Sequence, residues 1–234
     1  MGEEGTGDAL RQAVFGANDG LVSTFGLLVG LIGAQVSNEI LLIASVVNMF
    51  AAGMSMGLGS YLSTKSEVEF HRKLLIEEQR KIRHNRSKAE AELLFLCKQK
   101  GLKNRHIDEY MSQIMETEQG WIDFVMEEKY GLGRASFPDP IKGGAIMFLV
   151  FVLCGCIPIS PLFFGAKGGT VLLASVAATS VALFLVGALK QKLTNRDWIS
   201  LGFENLAIGA ITGTVGFIAG AYTSTLVGAG ALAG

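Results

Sequence analysis

A single carboxylate, Asp19, lies at the start of an uncharged run that covers residues 20–36. That run forms about 25 Å of helix at about 1.5 Å per residue, while the apolar core of a bilayer is about 30 Å thick. A spanning helix must therefore begin before Asp19, and an acid inside a membrane indicates a functional site by default. Alternatively, Asp19 caps the helix at headgroup level, where the helix dipole stabilises a negative charge. Span length alone leaves both interpretations open.

A methionine on the next apolar segment is the candidate to share a site with Asp19. If the first two spans form a hairpin that turns at Ser37 and Asn38, Met56 lies at the same depth as Asp19. A carboxylate and a thioether, with hydroxyl and amide oxygens nearby, suit a borderline metal such as Fe(II) better than Mg(II) or Ca(II). Methionines in membrane helices more often serve packing alone. The predicted position of Met56 at the level of Asp19 is what favours a metal site here. Further polar groups at membrane depth are Asn48 and Ser60.

Acidic residues recur through the polar stretch at residues 65–139. Spacings such as that from Asp123 to Glu127 place two carboxylates on one helix face, where both could bind one metal ion. Most surface acids only solubilise a helix, so spacing alone selects none of them. The recurring acids include Glu77, Glu78, Glu92, Glu127 and Glu128.

Charge-free windows predict five membrane-spanning helices, since a span needs about 20 apolar residues. Pro158 and Pro161 predict that the third helix bends or ends there. The fold class is therefore all-α, a polytopic membrane protein with three segments at residues 1–64, 65–139 and 140–234. The windows are residues 20–36 with an extension toward Ala9, then 40–64, 143–166, 168–189 and 205 to the C-terminus.

The segment between the second and third spans is predicted to form three helices. The first continues the second span without a break to Lys100, and Gly101 ends it. The second begins with Asn104 as its N-cap, and the third covers residues 121–130. Apolar residues at helical spacing indicate that these helices bury a small common core.

Basic residues predict the orientation in the membrane, because Lys and Arg remain on the cytoplasmic side of short loops. With five spans and a cytoplasmic N-terminus, nineteen of the twenty Lys and Arg residues lie in the cytoplasm and only Lys167 lies outside. The polar segment is therefore predicted to be a cytoplasmic three-helix insert.

Composition and motifs exclude several function classes. Net charge is −1, and the basic cluster at residues 80–88 contains no interleaved aromatics, so no nucleic-acid partner is expected. Attraction of this cluster to anionic lipid headgroups or to the acidic face of a partner is favoured over nucleic-acid binding, and a plain solvated helix face is favoured over both. Three cysteines provide neither a disulfide framework nor zinc-site spacing. No cofactor fingerprint and no arrangement of nucleophile, base and orienting group is present, so we expect no enzyme and no bound cofactor.

The residues at 14–23, VFGANDGLVS, and at 55–63, SMGLGSYLS, together with Gly131-Leu132, resemble the vacuolar iron transporter family over the whole chain. The resemblance implies a homodimer with a pathway between the first spans of two subunits. It also implies a cytoplasmic metal-binding domain and proton-coupled export of Fe(II), and often Mn(II), from the cytosol. Asp19 and Met56 match the transport-path carboxylate and methionine of that family.

Other positions depart from the family pattern. Ser60 replaces a glutamate of the second span, and an acid is expected where Asn48 stands. In the insert, Glu78 and Glu92 match glutamate ligands, whereas other expected ligand positions hold Lys81, Ala89, Val125, Met126 and Lys129. Neighbouring Glu77, Glu90, Glu127 and Glu128 are the candidate substitutes.

The sequence therefore predicts a divalent-metal transporter, with Fe(II) as cargo and Mn(II), Co(II) and Zn(II) as further candidates. Its membrane is expected to be that of a vacuole or other acidic compartment in a eukaryote, and the plasma membrane in a prokaryote. The alternative is a membrane-anchored metal-sensing or interaction protein that transports nothing. A carboxylate at mid-membrane depth favours the transporter, because an anchor has no use for a buried charge.

Overall fold

The computed structural model describes residues 3–101, 104–132, 138–167, 169–194 and 196–231. These residues form helices joined by short turns, and no β-strand occurs among them, which confirms the all-α fold class. The helices are α1 (Glu3–Gly33), α2 (Asn38–His84), α3 (Arg86–Gln99), α4 (Asn104–Ile114), α5 (Glu118–Tyr130), α6 (Pro140–Phe163), α7 (Gly169–Leu189) and α8 (Trp198–Ala231), with a 3-10 helix at Lys190–Leu193.

Five helices, namely α1, α2, α6, α7 and α8, are long and apolar enough to cross a membrane. This confirms the predicted number of spans and a multi-pass membrane protein. The bounds differ most at the fifth span, where α8 begins at Trp198 instead of Asn205. The charge of Glu204 had limited the predicted window, but it lies on the exposed side of the helix and pairs with Arg196 at 2.9 Å.

The described residues divide into two compact units. The membrane unit contains residues 3–62 and 140–231, and the polar unit contains the described residues of Ser63–Asp139. Helix α2 contributes residues to both units.

Helix α1 is the centre of the membrane unit, where it contacts α6, α7 and α8. Glycines make its contacts with two of these helices close. Gly20 packs against the backbone of Phe151 on α6, where a methyl group would overlap the carbonyl. On the α8 side, a Cβ at Gly30 would lie 3.0 Å from the carbonyl oxygen of Gly216, and one at Gly220 would overlap the carbonyl of Gly30. Small residues four apart permit this backbone approach.

The α6 helix contains both prolines near its end and stops at Phe163, as the sequence predicts. Gly165 follows with a φ of 80°, a left-handed conformation that glycine adopts without steric cost. The carbonyl of Pro158 accepts a hydrogen bond from Ser175 Oγ at 2.8 Å, which ties α6 to α7.

The polar unit is built from the second part of α2 and from α3, α4 and α5. Its core contains the apolar side chains Leu74, Ile82, Leu93, Cys97, Ile107, Trp121, Ile122 and Val125. The prediction that one helix continues to Lys100 is wrong, because α2 ends at His84 and α3 begins at Arg86. Asn85 separates them with a φ of −143°, and this break allows Leu93 of α3 to pack in the same core as Leu74 of α2.

The last helix of the polar unit, α5, begins earlier than predicted, at Glu118 instead of Trp121. Thr117 is its N-cap, since Thr117 Oγ1 accepts a hydrogen bond from the backbone N–H of Gly120 at 3.0 Å. Gly131 ends the helix with a φ of 68°. Asn104 is the first residue of α4, but residues 102 and 103, which precede it, lie outside the described residues, so its predicted capping role stays a prediction.

Candidate functional site

Asp19 lies in the interior of α1, a helix that begins at Glu3. The carboxylate therefore does not cap a helix N-terminus. It lies well inside the apolar span Ala9–Gly33 and is partly buried. An acid at this depth needs either a partner or a ligand.

The two adjacent polar side chains at this point of α1 have no protein partner. Within the described part of the chain, no side chain forms a hydrogen bond or an ion pair with the Asp19 carboxylate; the contact at this residue runs from Ser23 Oγ to the Asp19 backbone carbonyl, at 2.6 Å. Asn18 Oδ1 is buried and also has no hydrogen-bond partner. Buried polar atoms are nearly always paired. Successive residues of a helix point about 100° apart, so the two side chains do not face each other, and each is a separate polar group without a protein partner at this depth of α1.

Contacts along the α1–α2 hairpin fix its register. Ser60 Oγ donates to Gln12 Oε1 at 3.3 Å, and Gly20 and Gly53 both pack on Phe151. The chain turns at residues 34–37, ahead of the predicted turn, with Gln35 in a left-handed conformation at a φ of 58°. These contacts place Asp19 at about the level of Gly53 and Met54.

The predicted partner, Met56, lies two residues from that level, or about 3 Å along the helix axis toward Ser60. Met56 is partly buried and packs against a cluster of Met49, Phe151 and Ile159. Met54 is 50 % exposed on the outer side of α2. Two thioethers therefore lie close to the depth of Asp19, with Met56 partly buried and Met54 on the outer side of α2.

The remaining predicted path residues lie on α2 at either side of this level. Asn48 is partly buried, one residue before the buried Met49. Ser60 is also partly buried and binds Gln12. The structure therefore places the four predicted path residues on two neighbouring helices, spread over several helical turns along α2.

In the polar unit, Glu78 is the most deeply buried acid that the structure describes, at 2 % exposure. Its Oε1 accepts hydrogen bonds from Lys81 Nζ at 2.6 Å, from Tyr130 Oη at 2.7 Å and from Lys129 Nζ at 3.1 Å. Lys129 Nζ also bonds to Glu92 Oε1. One lysine therefore links α2, α3 and α5.

Both α5 residues of this cluster have altered pKa values. Burial opposes the charge of Lys129, but hydrogen bonds to Glu92 and Glu78 raise the pKa of Lys129 well above its usual value. Burial raises the pKa of the Tyr130 hydroxyl, and its hydrogen bond to Glu78 raises that pKa further. Lys129 is therefore cationic and Tyr130 neutral at physiological pH.

The other predicted acids of the polar unit do not join this cluster. Glu77 pairs with Lys73 at 3.8 Å, Glu128 pairs with Lys100, and Glu127 lies on the exposed side of α5. No group of three or more His, Cys, Asp or Glu side chains that could bind a metal occurs in the part of the chain that the structure describes. The structure therefore brings Glu78 and Glu92 together, and it does so through a lysine.

The sequence profile of the VIT family matches residues 10–221, which is most of the chain. The chain belongs to the VIT family. It is similar to vacuolar iron transporter 1 of Arabidopsis thaliana, at 31% identity over 90% of this chain and 84% of that protein. It is also similar to vacuolar iron transporter 1 of Oryza sativa subsp. japonica, at 31% identity over 91% and 84%. The vacuolar iron transporter of Plasmodium falciparum is 28% identical over 91% of this chain and 81% of its own length. These relatives are named as transporters and not as enzymes, as the sequence predicts.

Two features of this VIT-family chain were missed from sequence. The unpaired state of Asn18 Oδ1 depends on which side chains surround α1, and the sequence pattern does not report that. The bond from Lys129 to Glu92 joins residues 37 positions apart. Its only sequence signal was that Lys129 replaces an expected ligand, and a charge reversal beside retained glutamates is what a salt bridge requires.

Proposed function

We propose that this protein carries Fe(II) across the membrane, with Asp19 as the carboxylate that binds the ion in transit. The observation that carries this proposal is the Asp19 carboxylate itself, which lies in the interior of an apolar helix and forms no hydrogen bond or ion pair through its side chain with the described residues. Relatives along most of the chain bear the name vacuolar iron transporter.

The ligand types around Asp19 support a borderline transition metal. Oxygen donors alone would favour Mg(II) or Ca(II), whereas the thioethers of Met56 and Met54 add soft donors close to the same depth. Asn48 and Ser60 extend polar groups along α2 toward either end of the span. Mn(II) is the second candidate cargo, followed by Co(II) and Zn(II).

Proton coupling follows from the chemistry of one carboxylate. Asp19 has no ammonium or guanidinium partner in the described residues, so its charge is compensated by a bound cation or removed by a proton. The metal ion and the proton compete for the same carboxylate oxygens of Asp19. Release of the metal on one side and protonation of Asp19 then belong to one exchange, which makes the transporter a metal–proton antiporter.

A homodimer gives Asp19 an enclosed pathway. Phe15, one helical turn before Asp19, is 56 % exposed, so this side of α1 is left open by the other helices of the membrane unit. A second copy that packs against this side brings two Asp19 carboxylates to one pathway, together with Met54 or Met56 from each copy. Membrane lipids cover the remaining apolar exterior of the unit.

The distribution of basic residues supports a cytoplasmic polar unit and a cytoplasmic N-terminus. Metal then moves from the cytosol to the opposite side of the membrane. That side is the lumen of a vacuole or another acidic compartment in a eukaryotic cell, and the exterior in a prokaryotic cell.

The test is uptake by proteoliposomes that contain the purified full-length protein. Fe(II), Mn(II), Co(II) and Zn(II) are supplied separately, each with and without an acidic interior. We expect Fe(II) uptake that is accelerated by the pH gradient and collapses when an ionophore removes the gradient. Uptake that ignores the gradient contradicts proton coupling. No uptake of any ion favours the alternative, a membrane-anchored sensing or interaction protein.

A further inference from the structure

We propose that the ammonium groups of Lys81 and Lys129 occupy the cation position of the polar unit, so that Glu78 and Glu92 bind no divalent metal. The family resemblance implies bound metal in this unit, and Glu78 and Glu92 are the two acids that match the expected ligands. The residues that surround them do not fit a metal ion.

The charges of the cluster already balance. Glu78 and Glu92 contribute two negative charges, and Lys81 and Lys129 contribute two positive charges, which is the charge that one divalent cation would supply. Glu78 is 2 % exposed, and a carboxylate so far from water is stable only beside a compensating cation. Lys81 at 2.6 Å and Lys129 at 3.1 Å provide that compensation from within the chain.

One oxygen of each carboxylate is also engaged by protein groups. Glu78 Oε1 receives three donors, two ammonium groups and the Tyr130 hydroxyl. Glu92 receives Lys129. An ammonium ion has no lone pair, so neither lysine can become a ligand while it is protonated. A metal ion would have to displace both ammonium groups and leave them near its own charge.

Around this cluster, the residues that the structure describes offer no replacement ligands. Of the positions that the resemblance assigns to further ligands, Ala89 and Val125 are buried apolar side chains in the core of the unit. Met126 is buried in the same core. Within the residues that the structure describes, acids, histidines and cysteines nowhere assemble into a group of three. Two ammonium groups of the chain, in place of a metal ion, therefore link the helices of the polar unit.

The test counts Co(II) ions bound per chain by equilibrium dialysis of the full-length protein in detergent. The variants Glu92→Gln and the double variant Lys81→Gln, Lys129→Gln are compared with the wild type. A double variant with the same loss of charge at two exposed lysines of α3, Lys88→Gln and Lys98→Gln, is the matched control. All variants are repeated with Asp19→Asn, which removes the contribution proposed for the membrane unit.

We expect Glu92→Gln to bind as much Co(II) as the wild type, because Glu92 is engaged by Lys129. The variant without Lys81 and Lys129 is expected to bind one additional Co(II) per chain, while the control variant gains none. A local reporter is available, since Trp198→Phe leaves Trp121, in the core of the polar unit, as the single tryptophan. Quenching of Trp121 by Co(II) is expected in the variant without the two lysines and not in the wild type.

Loss of bound Co(II) in Glu92→Gln, or quenching of Trp121 in the wild type, overturns the proposal. A folded Lys81→Gln, Lys129→Gln variant that binds no additional Co(II) also contradicts it. If that variant fails to fold, the comparison of wild type with Glu92→Gln decides alone. Failure of the transport proposal has a different signature, which is unchanged uptake after substitution of Asp19.

Discussion

Asp19 and Glu78 are two carboxylates withdrawn from solvent in one chain, and their surroundings are opposite. Asp19 lies in an apolar helix with no hydrogen bond or ion pair to its side chain among the described residues, beside the unpaired Asn18 Oδ1. Glu78 lies in a small soluble-type core and receives three donors, two of them cationic. The first carboxylate is available to a ligand, and the second is part of the protein's own framework.

The difference shows that burial of an acid does not by itself identify a metal site. What distinguishes the two positions is whether protein groups already satisfy the oxygens. Satisfied oxygens stabilise the fold and compete with any ion, whereas unsatisfied ones leave a charge that an ion or a proton must neutralise.

The largest expected effect separates the two carboxylates by transport. Asp19→Ala is expected to lower Fe(II) uptake by roughly 100-fold or more, since even outer-shell changes at metal sites cost about 10- to 100-fold. Glu39→Gln, an exposed acid at the start of α2, is the control and is expected to leave uptake within about twofold of wild type. Normal Fe(II) uptake by the Asp19→Ala variant in proteoliposomes would contradict the proposed mechanism.

The second prediction distinguishes Glu78 from Asp19 by the stability of the polar unit. Lys129→Met is expected to destabilise the polar unit by roughly 3 kcal/mol, the low end of the cost of removing one partner of a buried ion pair, because Lys81 and Tyr130 still contact Glu78. Unfolding is followed by Trp121 fluorescence in a Trp198→Phe background. The control, Lys73→Met, removes an exposed pair at 3.8 Å and is expected to cost about 0 to 1 kcal/mol. An equal loss of stability in the two variants would mean that Lys129 does not stabilise the contact between α2, α3 and α5.

A third effect tests whether close backbone contact, in place of hydrogen bonds, positions Asp19. Gly20→Ala inserts a methyl group into the carbonyl of Phe151, so α1 must shift, at a cost of about 1 to 3 kcal/mol. We expect a lower thermal unfolding midpoint and reduced uptake. Gly59→Ala is the control, because nothing lies within 4 Å of its added methyl group. Equal midpoints for the two variants would show that α1 has room beside α6.

The smallest effect is on pH dependence. The pKa values of Lys129 and Tyr130 are raised in the folded protein, so both groups stabilise the fold fully below their unfolded pKa of about 10. That contribution is lost as the pH rises through the higher folded values. The unfolding midpoint of the polar unit is therefore expected to change little between pH 7 and 9 on account of this cluster, and to fall above about pH 10. A fall between pH 7 and 9 that Lys129→Met abolishes would contradict this assignment.

The sequence predicted the spans because a bilayer imposes a minimum length on uncharged helices. It misplaced the start of α8, since a helix can continue past Glu204 when that side chain reaches Arg196. It also missed the break at Asn85, because the break depends on where α3 finds a core to pack against. Local pattern therefore predicted the five spans and the last two helices of the polar unit, while tertiary packing decided where helices end and made α3 a separate helix.

The candidate sites divide in the same way. Span length alone left two interpretations of Asp19 open, and the structure places this acid inside a helix and partly buried. The level of its partner on α2 depended on the turn, which lies at residues 34–37, so the predicted pairing with Met56 is offset by two residues. The role of Lys129 required knowledge of which residues of α2, α3 and α5 meet. No spacing rule within one helix contains that information.

The glycine contact between α1 and α8 has a consequence for the order of events during synthesis. Gly30 belongs to the first span and Gly216 and Gly220 belong to the last, so the contact joins segments separated by most of the chain. When α1 leaves the ribosome, the surface that must cover its glycines has not yet been translated. The helix that carries Asp19 therefore completes its packing only after the fifth span has been inserted, and a nascent chain that stops before Gly216 leaves that helix uncovered on one side.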